Sequence, residues 1–308
     1  MIQTVTGTIL PEHLGVTSLH EHIICESPVF HYGFGEKWAT REDIMKEAVI
    51  QLKEASKRYQ LRTIVDGTPF SLSRDILLLK DISEKSGVNI IASTGYYVTA
   101  DYGLHEIAAE IQAEYFIEEC NQGVGKTGIR PGFLKCATNA DTSLRSVEIM
   151  AMVQRETQLP LFAHSDAPTR TGLKQLEIFE RYQLNPEKII IGHVGDMYDR
   201  QYVEELLRHG CFVCIDRLYR PDDIAAKAHL IVLLAEQGWL DRITVAHDHI
   251  CWKMSQNRKQ QKRATAPLLP DNSLNNIGSL LIPELRKLGF GNVEIDQLLI
   301  VNPMRVFQ

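Results

Sequence analysis

Six residues of this 308-residue chain have the types and spacing that metal chemistry needs: His20, His22, Lys135, His164, His193 and Asp248. In "LHEHI" the two histidines are two apart, and on an extended segment residues i and i+2 share a face. Both imidazoles can then reach one ion. His164 closes the apolar run "LPLFAH" and His193 closes "KIIIGH", each after a small residue, Ala163 and Gly192. Asp248 closes "RITVAHD". Singly these are weak signals, because an H-x-H pair, a histidine ending a strand and an aspartate before a helix all have ordinary structural uses. Together, neutral imidazoles and a carboxylate aimed at one point suit Zn2+ or Mn2+.

Lys135 is the odd member. "GFLKCA" reads as a short buried strand, and an unpaired buried ammonium group is strongly unfavourable. A cation among cation ligands makes sense if the amine has reacted with CO2. The carbamate is an anion whose two oxygens can each bind one of two divalent ions, roughly 3.5 to 4 Å apart, that also share a hydroxide.

Such residues need a scaffold that brings distant strand ends together. Apolar runs end at His20, Asp66, Ser93, Lys135, His164, His193, Asp216 and Asp248. Several are near-continuous Val, Ile, Leu, Phe and Cys, as strands buried on both faces should be. Between them lie amphipathic helical patterns. Arg41 to Tyr59 places Ile44, Ala48, Leu52 and Ala55 on one stripe. "SRDILLLKDISEKSG" offers Ser73 as an N-cap and Gly87 as a stop, and Gly210 and Gly238 end two later patterns. "IPELRKLGF" and "VEIDQLLIVNPMRVF" read as closing helices. Eight strands alternating with helices over this length predict an α/β fold, a (β/α)8 TIM barrel formed by residues 1–308 as one domain. Its site would lie at the C-terminal ends of the strands. A doubly wound open sheet usually presents a glycine-rich turn after its first strand, where this chain has "HEHIICESP". The opening "IQTVTGTILPEHLG" predicts a β-hairpin outside the barrel.

Composition narrows the partners. A formal net charge of -6 argues against a nucleic-acid surface, and no apolar run has the length of a membrane span. The N-terminus lacks the pattern of a signal peptide, so the expected compartment is the cytoplasm. Six cysteines are too sparse for a disulfide framework. "CFVC", Cys211 to Cys214, has zinc-site spacing but a strand-like setting, which points residues three apart to opposite faces.

The order of ligand types resembles the binuclear amidohydrolase superfamily: HEH on the first strand, Lys on the fourth, His on the fifth and sixth, and Asp on the eighth. "TGTILPEHLGVTSLHEHI", "RTIVDGT", "IIIGHVGD" and "VNPMRVF" are similar to the phosphotriesterase family within it, and the similarity covers essentially the whole chain. Some relatives carry Glu in place of the bridging lysine. The resemblance implies that His20, His22 and Asp248 hold the more buried metal, His164 and His193 the more exposed one, and carboxylated Lys135 both. The metals implied are Zn2+ first, with Mn2+ or Co2+ as alternatives. The reaction implied is attack of a metal-bridging hydroxide on an ester, with Asp248 as the catalytic proton carrier. It also implies a homodimer, which the helix patterning itself does not establish.

"STGYY" and "CIDRLYR" are similar to the lactonase branch of that family, which assigns Tyr97 and Arg217 to the substrate, and Trp252 is added as a third contact. Arg217 is equally readable as a clamp on Asp216 or a nearby loop. Asp66 reads as a hydrogen-bond acceptor behind the ligands. The stretch after Asp248 departs from that branch. It carries Lys253, Arg258, Lys259, Lys262 and Arg263 without an acid before Pro270, which would recruit anionic substrates or simply face water. The leading expectation is a hydrolase of lactones or other carboxylic esters, taking small molecules. The second is cleavage of P–O bonds in organophosphate esters at the same centre. The third is a non-catalytic metal-binding barrel.

Overall fold

The structure is a computed structural model that describes residues 1–34, 39–98, 104–253 and 273–308. Its strands are β1 (Ile2–Thr4), β2 (Gly7–Ile9), β3 (Val16–Ile24), β4 (Leu61–Asp66), β5 (Asn89–Gly95), β6 (Phe133–Ala137), β7 (Leu161–His164), β8 (Ile189–Gly192), β9 (Phe212–Ile215), β10 (Ile243–Val245) and β11 (His249–Trp252). β1 and β2 form the expected antiparallel hairpin. The other nine form one sheet in the order β10-β9-β8-β7-β6-β5-β4-β3-β11, with parallel pairings throughout.

β10 and β11 lie at opposite ends of that order, yet only Ala246, His247 and Asp248 separate them in the chain. The two edges must therefore meet, and the sheet closes as an eight-stranded TIM barrel whose last strand is broken in two. The expected run through to Asp248 stops at Val245, because Asp248 has φ 53, the left-handed region that ends a strand. The first strand also runs past His20, to Ile24.

Glu21 spans this closure. It alternates with His20 and His22 on β3, so it points away from the barrel axis while they point in. Its carboxylate accepts from His247 N at 3.0 Å, His247 Nδ1 at 2.7 Å and His249 N at 2.9 Å, and the Ser18 hydroxyl donates to it as well. Burial opposes its charge, but His247 and the other donors prevail and hold its pKa low. Asp248 N completes the seam by donating to His20 O at 3.0 Å.

Two apolar layers follow from strand alternation. Inside the barrel, Val65, Ile91, Phe133, Phe162, Ile190, Phe212 and Cys214 pack together. Ile2, Leu14 and Val306, from the hairpin, its linker and the final helix, join them, so these segments close the barrel floor. The outer layer lies under the helices and contains Cys211, so the two cysteines of "CFVC" do fall on opposite faces. Helix Arg41–Tyr59 buries Ile44, Ala48, Leu52 and Ala55 as expected, behind a capping box of Thr40 and Asp43. Ser73 does not cap the next helix. That helix runs over Ile76–Ser86 with Asp75 accepting from Leu78 N, because the carboxylate stands directly before the first turn. Ser73 instead takes φ 69 after a short 3-10 turn and donates to Glu26 O.

Replacing Glu21 with Ala strands several buried N–H donors. Chemical denaturation should show a loss of at least about 3 kcal/mol, and a loss under about 1 kcal/mol would refute Glu21 as the seam of the barrel.

Candidate metal centre

The six residues named from the sequence converge at the C-terminal mouth of the barrel. His20 and His22 project from β3, Lys135 from β6 and His164 from the end of β7, while His193 and Asp248 follow β8 and β10. Lys135 Nζ lies 2.7 Å from His20 Nε2, and His193 Nε2 lies 2.8 Å from His164 Nδ1. Asp248 Oδ1 is 3.3 Å from His22 Nε2 and 3.7 Å from His20 Nε2. The Phe162 ring forms the floor, 4.2 Å from both the His20 ring centroid and Lys135 Nζ.

The backbone that holds them is unusual. His193, Arg217 and Asp248 take φ of 63, 56 and 53, each just beyond a strand, in a region that non-glycine residues seldom occupy. Such positions persist where surrounding contacts over-determine them. Close approach also demands glycine: a Cβ on Gly67 would stand 2.7 Å from His20 Cδ2, and one on Gly192 would stand 2.2 Å from the Phe162 ring.

Residues outside the six set the imidazole orientations. Asp216, fully buried after β9, accepts from His20 Nδ1 at 3.0 Å through one oxygen and from His193 Nδ1 at 2.9 Å through the other. The carboxylate requires the hydrogen on Nδ1, so Nε2 of each ring turns its lone pair toward the site. His20, His193 and Asp216 also lie within metal-binding distance of one another, but with both oxygens engaged Asp216 orients the rings rather than offering a ligand. Thr68 Oγ1 donates to Ile24 O at 3.0 Å and therefore accepts from His22 Nδ1 at 2.8 Å. Asp66 holds this arrangement from behind, accepting from Ile23 N at 2.8 Å and Thr68 N at 3.0 Å, which is the supporting part the sequence suggested.

That orientation bears on what the site is built to hold. With Nδ1 directed at Thr68, His22 turns Nε2 toward Asp248 Oδ1, 3.3 Å away. A cation suits such a pair, and His20, His22 and Asp248 form a group that could bind one. Burial, then Lys135, lowers the pKa of His20 to about 3, and burial with His193 takes His164 well below its usual value. Both are neutral ligand candidates at pH 7. Asp248 lies well below the usual carboxylate range: burial opposes its charge, but the surrounding His20, His22 and His193 favour it. Burial lowers Lys135 to about 8 despite Asp248 and Asp216, so neutral amine, the form that reacts with CO2, is accessible near neutral pH.

The substrate candidates fall in different places. The Tyr97 ring meets the His164 ring edge-on, centroids 5.2 Å apart, and its N–H donates to Ser71 Oγ. Arg217 is a clamp, though on partners other than the Asp216 carboxylate: its guanidinium reaches Asp196 at 2.6 Å and Asp248 Oδ2 at 3.3 Å. Tyr219 OH shares Asp248 Oδ2 at 3.2 Å. Trp252 ends β11 and packs against the layer under the helices, with its indole Nε1 buried and unpartnered among the described residues. Of the basic stretch, Lys253 is described, whereas Arg258, Lys259, Lys262 and Arg263 lie outside the described residues. The sequence gives no role to Glu21, Thr68 or Tyr219, and Asp216 stands out only as a strand end and a possible partner of Arg217. The only signal was position, since each lies within three residues of a strand end or ligand.

Asp216→Asn should preserve the fold while lowering metal affinity about 10- to 100-fold, because an amide cannot accept from both imidazoles. Chelator competition measures this, and unchanged affinity would remove Asp216 from the centre.

A model of the phosphotriesterase family matches residues 1–307. A phosphotriesterase homology protein of Mycobacterium tuberculosis is 28% identical, covering 100% of this chain and 97% of the relative. An aryldialkylphosphatase of Saccharolobus solfataricus is 29% identical, with 97% of each covered. An N-acetyltaurine hydrolase of Mus musculus is 23% identical, covering 98% of this chain and 96% of the relative. No helix among the described residues is long and apolar enough to cross a membrane. With a family match over nearly its full length and a donor set suited to a divalent cation, this chain belongs to the phosphotriesterase family, whose members are binuclear-metal-dependent hydrolases of small molecules.

Proposed function

We propose that this protein is a zinc-dependent hydrolase of lactones and related carboxylic esters. His20, His22 and Asp248 would hold one ion, His164 and His193 a second, and carboxylated Lys135 both. When bound, the ions supply Lewis acidity and lower the pKa of water.

The divided bonding of Asp248 carries the reading. One oxygen faces His20 and His22, and the other takes hydrogen bonds from Arg217 Nε and Tyr219 OH. A carboxylate so placed can accept a proton from attacking water and pass it to the leaving oxygen. Ring opening of a lactone expels an alkoxide, a poor leaving group that requires this proton. An activated aryl oxide does not. Arg217 holds Asp248 in that orientation and is itself steadied by Asp196. Tyr97 stands against His164 on one wall, where an amphipathic ring can contact the bound ester.

Phosphotriester cleavage is the second reading, supported by the Saccharolobus solfataricus relative named aryldialkylphosphatase. Both reactions place similar charge at the same centre. A panel of γ-lactones, acyl-homoserine lactones, aryl carboxylate esters, an aryl phosphotriester and an N-acyl aminosulfonate separates them. Lactones should lead in kcat/KM by about tenfold, equivalent to about 1.4 kcal/mol of transition-state binding. A lead for the phosphotriester or the amide would overturn the ester reading.

Asp248→Asn should reduce lactone turnover far more than turnover of activated aryl esters, and equal losses would trace the defect to missing metal instead. Lys135→Met should lose bound metal, whereas Lys135→Glu should keep it by supplying a carboxylate directly. Metal analysis with intact mass measurement checks this, and full metal content in Lys135→Met would exclude a bridging carbamate.

A further inference from the structure

Beside the metal centre lies a cavity of about 520 Å³ that the reading above does not use. Tyr97 and Ala137 form the wall it shares with the centre. The Tyr97 ring packs on His164, and Ala137 is paired with His164 across β6 and β7. The cavity thus adjoins the centre, and a substituent that reaches past Tyr97 would enter it. Asp141, Thr142 and Ser143 also line it, with Arg145 and Ser146 from the first turn of helix Arg145–Thr157.

Arg145 gives this cavity its character. One arm donates to Ile107 O at 2.5 Å. No carboxylate pairs with it among the described residues. The side chain is half-buried and lines the cavity, so its charge is available to a bound anion. Ser143 Oγ accepts from Arg145 N at 3.1 Å, which leaves its own hydrogen available to donate. The helix behind has no side-chain cap, so its positive end adds to the field. Asp141 also lines the cavity but is exposed, where water screens it.

We infer that this cavity takes an oxyanion substituent of the substrate, a carboxylate or sulfonate, with Arg145 as its countercharge. This rests on the ester reading for the scissile bond and assigns selectivity to residues that follow β5 and β6. A neutral acyl chain would leave the Arg145 charge at the cavity wall without a counter-ion, whereas an oxyanion would supply one.

Phenyl esters of butyrate, succinate and 3-sulfopropanoate share one scissile bond and differ in their terminal group. Arg145→Gln should lower kcat/KM for the two anionic esters about tenfold, through KM, and leave the butyrate within about twofold. Unequal losses on succinate and 3-sulfopropanoate identify which oxyanion the cavity prefers. Asp141→Asn should act in the opposite direction, improving the anionic esters by removing a like charge. Equal losses on all three esters would make Arg145 a clamp on Ile107 only and overturn the inference. A second readout is independent of the reaction: calorimetric titration of the metal-loaded protein with succinate. Arg145→Gln should weaken binding about tenfold, with Arg145→Lys between it and the parent. Unchanged binding in Arg145→Gln, or no binding by the parent, would refute the site even if no ester is hydrolysed.

Discussion

Much of this structure depends on one buried carboxylate. Asp216 takes a hydrogen bond from His20, on the first barrel strand, and another from His193, after the sixth. A buried anion is costly unless its lone pairs are occupied, and here two imidazoles occupy them. Burial works against ionisation, but His193 and His20 prevail and hold its pKa far below the usual range. The same two bonds fix both tautomers and turn both Nε2 lone pairs inward. Lys227 steadies the turn from behind, donating to Asp216 O at 2.8 Å and Arg217 O at 3.1 Å. That turn in turn positions Arg217, and through it Asp248.

Barrel closure obeys the same economy. β11 pairs with β3 and β10 with β9, and Glu21 ties the break between them. Because side chains alternate along β3, one tripeptide serves two purposes. His20 and His22 face the site, and Glu21 between them fastens the seam. The break is also what lets Asp248, in a left-handed conformation, turn into the mouth. The metal centre and the closure of the fold are thus one construction, and damage to either reaches the other.

The positions of the chemistry follow from how a barrel is wound. Strand ends distant in sequence meet on one rim, so Tyr97, Lys135, His164 and Arg217 become neighbours without any local motif joining them. The cavity beside them is built from the segments after β5 and β6, the same rim one step outward. Tyr97 and Ala137 make the two places adjacent.

The sequence by itself determined the barrel, the hairpin, the helix Arg41–Tyr59 and the six residues at the mouth. Its strands are near-continuous apolar runs and its helices carry stripes of period near four, and both are local properties. Ligand candidates were legible because a histidine, lysine or aspartate that ends an apolar strand stands out against its neighbours. The partners of those residues were not. Nothing near Asp216 announces His20, 196 positions away, and nothing near Glu21 announces His247, because hydrogen bonds across the barrel leave no periodic trace in the chain. The helix cap went to Asp75 rather than Ser73 on a difference of two residues of backbone geometry. Arg217 meets Asp196 and Asp248 only through folding, partners that nothing beside it in the chain names. Residue type and spacing specify which groups can do chemistry, whereas only tertiary structure decides the direction of each lone pair and each charge, since those depend on contacts between strands that the chain does not place in order.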